Sequence, residues 1–164
     1  MKRITIGKVE YIIEFSLEAT MYNECTEKIM DMLTNAGLAE AKLKNESVDE
    51  KERAEDAVKE VITSMADIPQ RALILFYAGL LEHHGADGDR TVLSKNAAKK
   101  LLMDYLKENE GMTLYDVMSE MMQEIVNDHF FDLIGVEKAV KLAEQNAQKQ
   151  SKTPQDHKRK SGNN

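Results

Sequence analysis

The sequence predicts a mainly α protein, a helical bundle of five to six helices with a short N-terminal β-hairpin. Three observations carry that expectation. Arg3-Ile4-Thr5-Ile6 and the run from Val9 to Phe15 show strand-like alternation on either side of Gly7-Lys8. After Ser16, apolar residues recur at three- and four-residue spacing almost to the end. Only two prolines and eight glycines interrupt 164 residues, a composition that favours helix.

The elements follow in order. Gly7, at the first central position of a two-residue loop, predicts a type II′ turn. Ile4 and Ile6 fall on one face of their strand, and Tyr11, Ile13 and Phe15 on one face of theirs. A lone hairpin is marginal in water, so this one must lie on the helices or join another sheet edge. Ser16 is the expected N-cap of the first helix, with Glu18 favouring the helix dipole. Leu17, Met21 or Tyr22, Cys25, Ile29, Met32 or Leu33 and Ala36 make its stripe, and Gly37 should end it. Residues 39–48 are polar and aperiodic and read as a linker. A second helix, Glu50 to Ala66, has Ala54, Ala57, Val58, Val61, Ile62 and Met65 on its apolar stripe. Glu50, Glu52, Glu55, Asp56 and Glu60 form its acidic face.

Asp67-Ile68-Pro69 predicts a break and a new start, with proline in the first turn. Residues 72–81, Ala-Leu-Ile-Leu-Phe-Tyr-Ala-Gly-Leu-Leu, are apolar nearly all round, the mark of a central core helix. Gly79 should let a neighbouring helix come close, and the helix should end near His84-Gly85. Residues 85–92 read as a loop. Ser94 should cap a fourth helix with Ala98, Leu101, Leu102, Tyr105 and Leu106 facing inward and Gly111 beyond its end. Thr113 and Asp116 resemble a capping box opening a fifth helix, with Leu114, Val117, Met118, Met121, Met122 and Ile125. That helix continues or kinks into residues 129–135, and a last amphipathic stretch spans 136–148. Residues 1–149 therefore read as one helical domain with the hairpin at 2–15, and 150–164 as a disordered basic and polar tail.

Composition bounds the setting. Residues 150–164 hold Lys152, Lys158, Arg159 and Lys160 against Asp156, a net +3, so the overall −7 leaves −10 on residues 1–149. An acidic body repels phosphate backbones, so no nucleic-acid partner is expected. No apolar run reaches the roughly 20 residues of a membrane span, and no membrane partner is expected. The start carries no signal-peptide pattern and Cys25 has no second cysteine to pair with, which leads us to expect a cytoplasmic location.

Few residues suggest chemistry. Glu82-His83-His84 with Asp87, Asp89 and Asp128-His129 invites a metal reading, but adjacent histidines on a helix point about 100° apart. Their spacing matches no zinc motif, and Asp87-Gly88-Asp89 lacks the further ligands of a calcium loop. A helix end with solvated histidines is expected instead, with no metal and no cofactor. Cys25 lies in an apolar stripe, where a thiol is an inert core residue. No nucleophile elbow, P-loop or dinucleotide fingerprint is present, so no enzyme is expected. Met118, Met121 and Met122 share one helix face. They are either core or a groove for a partner helix, since unbranched polarisable side chains re-pack around varied apolar sequences. Phe130 and Phe131 point to different faces: one should anchor the core, the other a contact with a subunit or partner.

The order of these features resembles the tail assembly chaperones of long-tailed bacteriophages and prophages of Gram-positive hosts. The hairpin Ile4-Thr5-Ile6-Gly7 with Tyr11 is similar to their start. Leu75-Phe76-Tyr77-Ala78-Gly79-Leu80-Leu81 resembles a segment of the same group. The Met-rich fifth helix followed by Phe130-Phe131-Asp132-Leu133-Ile134-Gly135 is similar to their later part. The resemblance spans about residues 2–140. It implies a non-enzymatic protein that binds the tape measure protein, keeps it soluble, recruits tail tube protein and is absent from the finished virion. It also implies a homo-oligomer in the host cytoplasm. Coating a long helix takes many copies of a small subunit, with avidity from multivalency. On this reading Met118, Met121, Met122, Phe130 and Phe131 are the candidate partner-binding residues. Ile4, Ile6, Tyr11 and Ile13 are the candidate self-association residues through the hairpin edge. The alternative is a small helical adaptor or regulatory protein that binds one protein partner.

Overall fold

The computed structural model describes residues 1–43 and 50–142, with side chains placed for 1–34 and 65–142. It is mainly helical behind a two-stranded antiparallel hairpin, as the sequence predicts. The elements are β1 (Lys2–Ile6), β2 (Val9–Ile13), α1 (Leu17–Met21), α2 (Asn23–Leu43), α3 (Glu50–His84), α4 (Lys95–Glu108), α5 (Leu114–Asn127) and α6 (Phe130–Ile134). Residues 136–142 are again helical. The expected tail at 150–164 lies outside the described residues.

Register follows from the short loop. Ile6 pairs with Val9, Ile4 with Tyr11 and Lys2 with Ile13. Gly7 and Lys8 both have positive φ, 57° and 73°, so the turn is of the I′ kind rather than II′. That turn matches the right-handed twist of the strands, which outweighs the cost of a left-handed Lys8. Ile4, Ile6, Ile13 and Phe15 are buried and place the hairpin on the helices.

α3 is the central element. Ala72, Ile74, Leu75, Phe76, Ala78 and Leu80 are buried, and α4, α5, β2 and α1 all pack on it. Gly79 does admit a close neighbour, but the neighbour is the hairpin rather than a helix. A Cβ there would lie 2.6 Å from Ile13 Cγ2 and 3.5 Å from the Phe15 ring. The Glu14 N–H donates to the Gly79 carbonyl at 2.8 Å.

Four boundaries differ from expectation. The first helix divides at Tyr22, whose ψ of 92° is extended. Thr20, Tyr22 and Asn23 are weak helix formers, and the break seats the Tyr22 ring edge-on to Tyr77 at 5.4 Å. α2 then runs through Gly37 to Leu43, because Leu38-Ala39-Glu40-Ala41-Lys42-Leu43 are strong helix formers. The expected linker is thus helical over 39–43, while 44–49 lie outside the described residues. Asp67-Ile68-Pro69 does not break α3, which carries Pro69 inside it. The carbonyl of Met65 loses its i+4 donor, yet Met65 is 62% exposed, so water can reach this turn. Asp67 pairs with Arg71 one turn on, at 3.3 Å, instead of capping. Ser16 stands at the N-cap of α1 without capping it; its hydroxyl is turned to Glu82, to which it donates.

The other caps form as expected. Ser94 Oγ accepts from the Ala97 N–H at 3.2 Å. Thr113 and Asp116 exchange both bonds of a capping box at the start of α5. α5 ends at Asp128, and His129, at φ 55°, turns the chain into α6.

Candidate functional site

α5 presents two apolar stripes. Val117, Met121 and Ile125 are fully buried against the body. Along one margin of that stripe run Tyr115, Met118, Met122 and Val126, at the i, i+3, i+7, i+11 spacing of a helix-packing ridge. Met118 and Met122 are partly buried, whereas Tyr115 is 59% and Val126 55% exposed. The ridge is therefore anchored in the core at its middle and open at both ends.

α6 extends this surface. Phe130 is fully buried, its ring edge-on to Phe15 at 6.1 Å. Phe131 is only partly buried, and Leu133 is more than half exposed. α1 packs on α6 and leaves Leu17 and Met21 exposed. Of the sequence-derived contact residues, an incoming helix can touch Met118, Met122 and Phe131. Met121 and Phe130 are closed off inside the core. Tyr115, Val126, Leu133, Leu17 and Met21 were missing from that set. Tyr115 and Val126 were detectable as a second stripe beside the first. Leu17 and Met21 do show in the sequence, but as part of the first helix's apolar stripe, whereas the structure leaves them exposed on the five-residue α1; Leu133 sits on a helix too short for a period to show.

The hairpin residues fall differently. Ile4, Ile6 and Ile13 are buried in this chain's own core, so their side chains cannot reach another copy. Tyr11 is partly buried, edge-on to His84 at 5.1 Å. What β1 offers outward is backbone. With Ile6–Val9 closing the turn, Thr5–Glu10 and Arg3–Ile12 are the non-hydrogen-bonded pairs, and the amides of Arg3 and Thr5 face away from β2. Among the described residues these amides have no hydrogen-bond partner. The outer edge of β2 is covered only at its far end: the Ile12 N–H donates to His84 Nε2 at 2.9 Å and, just past the strand, the Glu14 N–H donates to Gly79.

The two histidines at the end of α3 are not both solvated, which corrects the expectation. His84 is buried, at 6% exposure. Its Nδ1 lies 2.8 Å from Asp89 Oδ2, while His83 Nε2 lies 2.6 Å from Glu14 Oε2. The rings serve different partners, as their divergence on the helix requires. Among the described residues no group of three His, Cys, Asp or Glu side chains is placed to hold a metal ion. Cys25 is fully buried, and burial pushes its thiol up to about 12. No helix among the described residues is long and apolar enough to cross a membrane.

No family model matches this chain, and no match is found among curated proteins or solved structures.

Proposed function

We propose that this chain is a tail assembly chaperone of a long-tailed phage or prophage, acting as a homo-oligomer in the host cytoplasm. It binds and solubilises the tape measure protein, helps recruit tail tube protein and is absent from the finished virion. The observation that carries this reading is the outer stripe of α5. Tyr115, Met118, Met122 and Val126 make a ridge at helix-docking spacing, with Phe131 and Leu133 continuing the apolar surface on α6. A tape measure protein is a long helix whose apolar sequence varies along its length. A Met-centred ridge accommodates such variation because its side chains re-pack at little cost. Each contact is modest, and many copies along one client supply the avidity. The ordered likeness of the hairpin, the Leu75–Leu81 segment and the Phe130–Gly135 segment to this group supports the same reading.

The test is co-expression with a tape measure protein from a phage whose tail genes adjoin this one. Parent protein is expected to keep that product soluble. A Tyr115→Glu/Val126→Glu variant changes only exposed positions and should retain its circular dichroism spectrum while the client precipitates. A client that stays soluble with this folded variant would remove the α5 ridge from the proposal. A client that precipitates with the parent as well would remove the chaperone reading itself.

A further inference from the structure

The contact between β2 and the end of α3 depends on the protonation state of one side chain. A backbone N–H can only donate, so His84 Nε2, which receives the Ile12 N–H at 2.9 Å, must carry no proton. The ring proton then sits on Nδ1 and points to Asp89 Oδ2 at 2.8 Å, with Thr91 Oγ1 3.2 Å away. Asp89 thus fixes the tautomer and leaves Nε2 as the single place where a second proton can go. That place is occupied by the Ile12 amide. We propose that His84 is an acid-sensitive latch: its uncharged ring holds β2 to the end of α3, and protonation of Nε2 expels the Ile12 amide and uncovers the outer edge of β2.

The surrounding charges permit this. From the 85–92 loop, Asp89 faces the ring directly, and Asp87 and Arg90 are exposed on the same loop. Hydrogen bonds from the Thr91 hydroxyl and N–H hold the Asp89 carboxyl below the usual range. It therefore stays ionised where imidazoles charge. From β2, Glu10 is taken by Arg3 at 2.8 Å, and Tyr11 packs its ring against His84. Just beyond β2, Glu14 is taken by His83 at 2.6 Å. From α3, Glu82 is bound by the Ser16 hydroxyl. Acid acts oppositely on the two histidines. A charged His83 grips Glu14 more strongly, whereas a charged His84 turns an acceptor into a donor facing a donor. The chain therefore stays tethered at Glu14 while Ile12 lets go.

This latch does not depend on the chaperone reading, and its test uses the full ¹⁵N-labelled chain. At neutral pH the ring nitrogens of His84 should show the Nδ1–H tautomer; an Nε2–H ring would overturn the proposal. Between neutral and acid pH, the Ile12 protection factor should fall at least about tenfold. The Glu14 amide, bonded to the backbone of Gly79, should hold within about twofold over the same span. Ile12 protection that does not change, or that falls together with Glu14, would overturn it. In His84→Gln the side-chain carbonyl can still accept from Ile12 but cannot charge, so the pH dependence at Ile12 should vanish; its persistence would count against the latch. If this variant does not fold, the ring tautomer and the Ile12–Glu14 comparison in the parent decide the question alone.

Discussion

At the scale of single residues, Gly79 seats the hairpin by leaving room for Ile13 and Phe15. Ile13 Cγ2 is fixed to the β-carbon of a fully buried, β-branched side chain, so it cannot swing away from a new methyl 2.6 Å off. Gly79→Ala should therefore destabilise the fold by about 1–3 kcal/mol, despite alanine's better helix propensity. Ile13→Ala alone should cost roughly 2–5 kcal/mol by leaving a cavity. In the double variant the new methyl enters that cavity, so urea denaturation should show a loss well below the sum. Additive losses would mean that the two residues do not meet. Cys25 gives a second expectation. Its thiol, pushed up to about 12, carries roughly a thousandfold less thiolate at neutral pH than a thiol at its ordinary 9.0. A thiol reagent should label it far more slowly in native protein than in urea. Because its native pKa lies above the unfolded one, its contribution to stability is complete below about pH 9 and is lost as pH rises toward 12. Prompt labelling of native protein would contradict its burial.

At the scale of elements, the capping box of α5 and the proline of α3 make opposite cases. Thr113 and Asp116 follow a sequence rule and form the bonds that rule predicts. Removing the cap in Thr113→Ala should cost about 1 kcal/mol. The Thr113 hydroxyl and N–H hold the Asp116 carboxyl below its usual range. That contribution is present above the ordinary carboxylate pKa and is lost as pH falls through the lowered one. The acid arm of the stability profile should therefore flatten in Thr113→Ala. Pro69 breaks a sequence rule and α3 continues through it. The residue is exposed, so Pro69→Ala loses no core contact and restores the bond to the Met65 carbonyl. It should raise stability by about 1–2 kcal/mol, the helix gain of up to about 3 kcal/mol being offset in part by a freer unfolded chain. A lower urea midpoint would show that the turn at Pro69 is needed. These cases mark what was legible. The hairpin, the central Ala72–Leu81 helix and the caps at Ser94 and Thr113 are local in cause, so a linear reading finds them, whereas which of Phe130 and Phe131 anchors the core is settled only by packing. The weak helix formers around Tyr22 permit a break there without requiring it, and the passage through Pro69 depends on solvent reaching that turn, so local propensity alone places neither. The candidate site divides in the same way. Periodicity placed Met118, Met121 and Met122 on one face, but depth along that face depends on how α5 sits on α3. The fully buried Met121 and the partly buried Met118 and Met122 were therefore indistinguishable.

At the scale of the molecule, a hairpin that would be marginal alone is held by five acceptors drawn from α3, α4 and α5 with its C-terminal end. Glu108 of α4 receives the Gly7 N–H at 3.0 Å, His84 of α3 receives Ile12, and Gly79 of α3 receives Glu14. Asp128, at the end of α5, receives the Phe15 N–H at 2.9 Å, and Lys2 pairs with Glu120 of α5 at 2.9 Å. Read along the chain, these carboxylates look like ordinary solvated charges. In the fold they hold the hairpin's turn and its two ends, while His84 and Gly79 hold the Ile12–Glu14 side, leaving the backbone of β1 around Arg3 and Thr5 as an open edge. That asymmetry determines how self-association can be tested. Deleting residues 2–15 would remove Ile4, Ile6, Ile13 and Phe15 from the core and report unfolding rather than assembly. Thr5→Pro is more selective. Thr5 is exposed, its amide makes no bond to β2, and proline is tolerated on an edge strand where the N–H faces solvent. If copies join through β1, this variant should keep the parent's amide spectrum in α3 and α5 yet sediment as a monomer at concentrations where the parent assembles. If it assembles like the parent, the subunits meet elsewhere. The exposed residues Leu17, Met21 and Leu133 on α1 and α6 would then be the next surface to alter.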